Sequence, residues 1–266
     1  MNPKSELHSE PQKVTNLEDC FFYHTVDIPG HGHVKGQWDF RNGAEKFLGG
    51  VSVAGKNVLE VGTADGFLAF DMEQRGADVV GYDISAQHTW DIVPFGGKVS
   101  VDHLAMSRKW TVGINNAWWF LHRALSSKAK LLYGSVYDIP AELGPFDIGT
   151  ISCVLLHLRD PFLAMQRAGA VISDTLIVTE VVAGFKQVPQ PIIAPPRDPE
   201  YTFLPDAKIP EQCFTWWNLS PIVIQRYMGI LGFPHTSVTY HDQFYEGERR
   251  WITLYTVVGR RAAGSE

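Results

Sequence analysis

Glu60, Gly62, Gly66 and Asp83 fall within NVLEVGTADGFLAFDMEQRGADVVGYD, residues 57–83, an apolar run followed by a turn, an amphipathic stretch, a second apolar run and an acid. Glycine has no Cβ, so the backbone of such a turn can approach a ligand closely. A carboxylate about 20 residues beyond the first glycine is placed to accept hydrogen bonds from ribose hydroxyls, and Asp83 holds that place. The two glycines stand four apart with Ala64 between them, rather than at i, i+2 and i+5. That spacing departs from the dinucleotide fingerprint, so the turn reads as half of a nucleotide-binding βαβ unit in which pyrophosphate is not the expected guest.

His157, in SCVLLHLRDP at residues 152–161, is the first candidate for proton chemistry. A neutral imidazole near pH 7 takes a proton from a hydroxyl or an ammonium; the alternative role is a histidine that bonds and shapes the adjacent loop. Glu180, at the end of a later apolar run, is the second candidate, to orient His157 or to bind a polar substrate group, with packing or exposure as the alternative. Asp160 and Pro161 read as a helix start, aspartate capping and proline at the first position. His24, His31 and His33 invite a metal reading, but no cysteine or carboxylate cluster completes a site, and no metal is expected.

The run Glu60-Val61-Gly62-Thr63-Ala64-Asp65-Gly66 resembles motif I of the class I S-adenosylmethionine (SAM) methyltransferases, acid-x-Gly-x-Gly-x-Gly, with Ala64 in place of the middle glycine. The resemblance implies an α/β, Rossmann-like fold: a seven-stranded, mostly parallel sheet with an antiparallel last strand and lid insertions. It covers about Asn57 to Arg260 and implies SAM as cofactor, with S-adenosyl-L-homocysteine (SAH) as product. SAM carries a sulfonium charge and no phosphate, which suits an acidic strand end such as Glu60. Glu60, Gly62, Thr63, Ala64, Gly66, Asp83 and Ile84 then form one part of the cofactor site. Ser135 stands where the family segment Gly-Asp-Ala-x-x-Leu-Pro has an adenine-reading acid, and its hydroxyl accepts more weakly than a carboxylate. Val136 would pack on the purine, and the strand carrying Cys153 and His157 would line the methyl-transfer chamber. Arg41 is placed to pair with the methionyl carboxylate or to form a surface salt bridge. Trp38, Trp216 and Trp217 are the aromatic candidates for acceptor binding or core packing.

LLHLRDP, the proline-rich stretch, WWNLSP and ILGF also resemble the methyltransferase domain of the tRNA wobble-uridine carboxymethyltransferases, which carry V-L-Tyr-His-x-x-x-P. Leu156 replaces that tyrosine, which in the family helps hold a carboxylated SAM, so ordinary SAM is expected. The net charge of −6 gives no strongly basic face for a polyanion, and the basic pairs are short and separated. A SAM-dependent methyltransferase acting on O or N of a small molecule is therefore the leading expectation. The others are a tRNA wobble-uridine methyltransferase and a non-catalytic SAM-binding regulatory protein.

These residues must be positioned by alternating elements. Strands are predicted at 57–61, 79–82, 131–133, 146–152 and 175–181, with helices at 43–48, 67–75, 115–125, 162–170 and 221–231. The last strands are predicted at 237–240 and 251–258. This alternation gives a parallel sheet with ligands at the carboxyl ends of the strands. The domain reading is a tail and lid over 1–50 and a methyltransferase domain over 51–266, with insertions at about 84–130 and 184–220. Within the first part, 1–20 reads as loosely draped and the aromatic, histidine-rich 21–41 as a lid. Seven prolines between 184 and 210 predict an extended loop over the site. A 45% hydrophobic, 20% charged composition fits a globular protein. The N-terminus lacks the apolar core of a secretory signal, and Cys20, Cys153 and Cys213 have no C-x-x-C spacing, so a cytoplasmic protein with reduced thiols is expected. The sequence leaves the oligomeric state open.

Overall fold

The structure, a computed structural model, describes residues 7–93, 101–182, 198–208 and 214–262. In chain order it contains β1 (Val26–Ile28), β2 (Gly32–Val34), β3 (Trp38–Asp39), α1 (Ala44–Phe47), β4 (Asn57–Val61), α2 (Phe67–Gln74), β5 (Asp78–Asp83), α3 (Val101–Ala124) and β6 (Lys130–Tyr133). There follow β7 (Phe146–Ser152), α4 (Pro161–Ala170), β8 (Ile172–Val181), β9 (Tyr201–Phe203), β10 (Trp217–Leu219), α5 (Pro221–Ile230), β11 (His235–Tyr245) and β12 (Arg250–Arg260). Strands β4, β7 and β8 are almost continuously buried. This is why they read as unbroken apolar runs rather than alternating ones: a parallel sheet is covered on both faces.

The main sheet has the order β3-β11-β12-β8-β7-β4-β5-β6. Strands β6, β5, β4, β7 and β8 are parallel, and β12 is antiparallel to both β8 and β11. Its seven strands β4, β5, β6, β7, β8, β11 and β12 reproduce the expected sheet, the antiparallel strand being the last in sequence. The two-residue β3 adds an eighth at the β11 edge. The strand order reverses at β4, with β5 on one side and β7 on the other. A ligand crevice belongs at the carboxyl ends of such a pair. Asp160 caps α4 by accepting from Leu163 N at 2.9 Å, and Pro161 opens the helix, as the sequence predicts.

Three segments differ from the sequence expectation. Helix α3 begins at Val101, well before residue 115. Its exposed side carries Leu104, Met106, Trp110 and Val112, so no one-sided apolar stripe marks its first turns. Part of the 184–210 loop forms the strand β9, paired with β10. Pro199 and Pro205 lie just outside β9, where they remove no ladder donor. The rest of the predicted loop, 184–197 and 209–210, lies outside the described residues. The stretch before residue 21 is docked over its described part: Ser9 N donates to Leu131 O at 2.8 Å, and Asn116 Nδ2 to Asp19 O at 2.9 Å.

The 21–41 segment folds around the β1–β2 hairpin, and Phe22, Val26, Ile28, Trp38 and Phe40 share one hydrophobic cluster with Phe47, Val58 and Trp118. Burial of these apolar side chains holds the segment to the sheet at about 1.5–3 kcal/mol for each fully buried large side chain. Among the described residues no helix is long and apolar enough to cross a membrane.

Gly66 ends the β4–α2 turn at φ +86°, and a Cβ there would stand 2.5 Å from Phe70 Cε2 and 2.7 Å from Trp118 Cδ1. Gly66→Ala combines a left-handed backbone with overpacking and is expected to lower stability by about 2–3 kcal/mol. A urea titration reads this directly, and an unchanged midpoint would contradict it.

Candidate active site

The turn between β4 and α2 passes through three left-handed residues, Gly62 (φ +78°), Ala64 (φ +50°) and Gly66. A Cβ on Gly62 would lie 2.2 Å from Val154 Cγ2, so glycine is required by space as well as by φ. Ala64 carries a side chain in that conformation, and Asp83 holds it there. Asp83 Oδ2 accepts from Ala64 N and Oδ1 from Ile84 N, both at 2.7 Å. Burial pushes the Asp83 carboxyl up to about 6 against the pull of those two bonds.

Glu60 lies beneath the same turn. Thr63 Oγ1 donates to its Oε2 at 2.6 Å. Burial, opposed by that bond and reinforced by Asp83 and Asp65, pushes Glu60 up to about 8. Asp65 is fully buried and accepts from His24 N at 2.7 Å, with its other oxygen 2.5 Å from His24 Nδ1.

A cavity of about 220 Å³ opens at this end of the sheet. Gly62 and Ala64 of the first turn, Asp83 and Ile84 after β5, and Ser135 and Val136 after β6 line one part. Ser152, Cys153, Val154 and His157 line another, joined by Tyr23, Trp90, Asn115, Tyr137 and Phe214. The Ser135 hydroxyl already accepts from Tyr137 N at 3.3 Å, and Tyr82 Oη donates to the Ser135 carbonyl at 2.9 Å. Ser152 Oγ is buried without a hydrogen-bond partner among the described residues.

His157 closes a short 3₁₀ turn, Leu155–His157, at the end of β7. Its Nδ1 lies 2.6 Å from the Phe214 carbonyl oxygen. A carbonyl only accepts, so Nδ1 carries the hydrogen and Nε2 is the proton-free nitrogen. Burial lowers the His157 pKa, opposed by the Phe214 bond, so the neutral ring dominates at pH 7. Glu180 supports this turn: its Oε1 accepts from Leu155 N at 2.8 Å, and further backbone bonds come from Leu156 and Val154. Burial pushes Glu180 up to about 8 despite them. Just before the turn, Cys153 takes φ +53°, and burial raises its thiol well above the ordinary range.

The structure thus brings Gly62, Ala64, Asp83, Ile84, Ser135, Val136, Cys153 and His157 to one cavity. The remaining sequence candidates lie elsewhere, each for a physical reason. Glu60, Thr63, Gly66 and Glu180 are behind the wall, engaged with the turns or packed beneath them. Arg41 is taken up by Asp39 at 2.7 Å and Asp27 at 2.8 Å, the surface salt-bridge alternative. Trp38 is 1% exposed and packs in the core at tilted angles against Phe40 and Tyr245. Trp216 is buried with its indole N–H donating to Asp91 O at 2.7 Å, and Trp217 stacks on Tyr201 at 4.3 Å. The three histidines are dispersed: His24 holds Asp65, His33 meets Asp27 at 3.0 Å and His31 packs on Phe120. Among the described residues no group of three His, Cys, Asp or Glu is arranged to hold a metal.

Sequence reasoning missed Trp90, Asp91 and Phe214 as site residues. Trp90 Nε1 donates to Thr111 Oγ1 at 3.0 Å, and the ring meets His157 at 5.8 Å and Phe214 at 6.4 Å. The Asp91 carboxylate accepts from Tyr137 Oη at 2.6 Å and Arg159 N at 2.8 Å, and it pairs with Arg159 Nε. The unusual length of the 84–130 connection was the available signal for the first two. Phe214 had none, because its role depends on a carbonyl bond 57 residues away.

No family model matches the chain, and no curated protein matches it. Solved structures do. The N-terminal domain of EvdMO1, crystallised in the presence of SAH and D-fucose, aligns over 92% of this chain and 93% of its own at 14% identity, TM-score 0.52. Magnesium protoporphyrin IX methyltransferase (ChlM) from Synechocystis PCC 6803, with bound SAH, aligns over 84% and 81% at 12% identity, TM-score 0.51. An O-methyltransferase family protein from Burkholderia thailandensis aligns over 85% and 57% at 11% identity, TM-score 0.51. The chain has the class I methyltransferase fold.

Glu180 has its folded pKa raised from 4.5 to about 8, so the folded state holds a proton that the unfolded state releases. Its stabilising effect is full below about pH 4.5 and is lost as pH rises toward 8, with a slope of order 1 kcal/mol per pH unit. Unfolding free energies measured across this range are expected to fall with pH in the native chain and to fall less steeply in Glu180→Gln. Parallel profiles would contradict the assignment.

Proposed function

We propose that this protein is a SAM-dependent methyltransferase that transfers a methyl group to an oxygen or nitrogen of a small-molecule acceptor. The observation that carries the reading is that a glycine turn, a carboxylate with free lone pairs and a neutral histidine line one cavity at the strand-order reversal. The presence of SAH in the EvdMO1 and ChlM crystals supports it.

Each Asp83 oxygen accepts one backbone N–H and retains acceptor capacity for a ribose hydroxyl. Gly62 and Ala64 offer backbone at close range, while Ile84 and Val136 provide apolar faces for a purine. The Ser135 hydroxyl is available to an adenine amine. Glu60 acts from behind, bracing Thr63 within the turn. SAM, when bound, supplies an electrophilic methyl carbon on a sulfonium sulfur. His157 Nε2 accepts the proton that the acceptor atom loses, and Glu180 fixes the turn that aims it. A tRNA acceptor requires a basic surface that a chain of net charge −6 does not favour. The non-catalytic alternative is separated by release of SAH.

Calorimetry with SAM and SAH tests the cofactor, and absence of any heat or thermal shift with both sinks the proposal. Asp83→Ala is expected to weaken SAM binding by about tenfold or more. His157→Ala is expected to retain binding and lose turnover by about 10²–10⁴; undiminished turnover would remove His157 from the chemistry. Because burial holds the imidazole below its ordinary 6.5, native turnover is expected to persist down to that pH and to fall below it as the ring gains a proton.

A further inference from the structure

Trp90, Phe214 and His157 form an aromatic corner from three separate chain segments. The Trp90 and Phe214 rings are 78° apart, and Trp90 meets His157 at 66°. Each member is held by a polar bond: Trp90 to Thr111, and His157 to the Phe214 carbonyl. A flat ring laid against one of two perpendicular aromatic faces turns its edge to the other, which is the favoured geometry of aromatic contacts. Ile114, Val154 and Leu158 complete the apolar wall around this corner.

The charge on the wall narrows the choice of ligand. Among the described lining residues there is no lysine or arginine, and the charged groups are Asp83 and Asp91. Asp91 already has Arg159 as its counter-ion, with the Arg159 side chain mostly in solvent. A carboxylate, phosphate or nucleotide entering here would leave water without a cationic partner among the described lining residues. A polyol would lose hydration against an apolar wall that returns few hydrogen bonds.

The tautomer of His157 separates oxygen from nitrogen. A neutral arylamine attacks through its lone pair before it loses a proton, whereas a phenol becomes a strong nucleophile as its proton leaves. A proton-free Nε2 on the wall serves the second case. Ser152, whose Oγ is buried without a partner among the described residues, lines the same cavity.

We propose that the acceptor is an uncharged aromatic compound that presents a phenolic hydroxyl to His157 at the Trp90–Phe214 corner. The inference rests on the methyltransferase reading. The phenolic proton passes to Nε2, the oxygen pair forms the new O–CH₃ bond, and the C–S bond breaks with its electron pair remaining on sulfur. A neutral thioether results, and the imidazolium returns its proton to solvent.

The full chain is assayed for SAH release with SAM and catechol, naphthol, protocatechuate, ortho-phenylenediamine or glucose, alongside calorimetry with SAM alone. The expected kcat/KM for at least one of the two neutral phenols is about 100-fold above those for the carboxylated, amine and sugar compounds. Phe214→Leu is expected to raise KM for that phenol by about tenfold while SAM affinity stays within about twofold. Comparable or faster turnover of protocatechuate, the amine or glucose overturns the acceptor class, as does SAM binding with neither phenol methylated. Failure to bind SAM at all overturns the underlying cofactor reading instead, so calorimetry tells the two failures apart.

Discussion

Three acids, the buried Glu60 and Asp65 and the half-buried Asp83, hold together the turn at the carboxyl end of β4. The chain between Val61 and Gly66 reverses through left-handed residues, and such a backbone persists only where its surroundings over-determine it. Asp83 supplies two acceptor oxygens to the amides of Ala64 and Ile84, Glu60 receives the Thr63 hydroxyl, and Asp65 takes the backbone N–H and the ring Nδ1 of His24. Each acid has donors, which offsets the cost of removing it from water. The Asp65 bonds also tie the N-terminal hairpin segment to the turn, and the core shared by Trp38, Phe40 and Trp118 consolidates that attachment.

The same device recurs across the strand-order reversal. At the end of β7, Cys153 takes a left-handed conformation and the following turn gathers its amides on Glu180. A buried carboxylate beneath a sharply turning strand end thus builds both lips of the crevice. One places backbone and the Asp83 carboxyl at the cavity, and the other places an imidazole. At the end of β7 the acid that shapes the loop, Glu180, is distinct from the cavity-lining imidazole, whereas at the first lip Asp83 both holds the turn and lines the cavity. Removing Glu180 would disturb the geometry of the turn rather than a group on the cavity wall.

The remaining wall is assembled from distant pieces. Asp91 receives Tyr137, Arg159 and, through its carbonyl, Trp216; Phe214 fixes His157. Their sequence separations run from 46 to 125 residues. Contacts of that kind form only after loop-closure entropy has been overcome, so this side of the cavity depends on the completed sheet.

The sequence by itself determined the alternation of strands and helices, the parallel sheet with its antiparallel last strand, the turn that needs glycine, and the positions of Asp83 and His157. These follow from short-range patterning: apolar runs match buried strands, and a cavity-lining residue at a strand end has a predictable offset from its turn. Tertiary structure alone decided which polar groups were left over for a ligand. Glu60 and Glu180 look like ligand-facing acids in one dimension but are taken up by nearby hydroxyl and backbone donors. Arg41 is claimed by Asp27 and Asp39, and Trp38 by the core. The converse holds for Trp90 and Phe214, ordinary aromatics in sequence that become cavity wall because β7, the post-β5 segment and the stretch before β10 converge. Periodicity encodes which face of an element is buried, whereas the partner of each donor and acceptor depends on chain segments far apart in sequence.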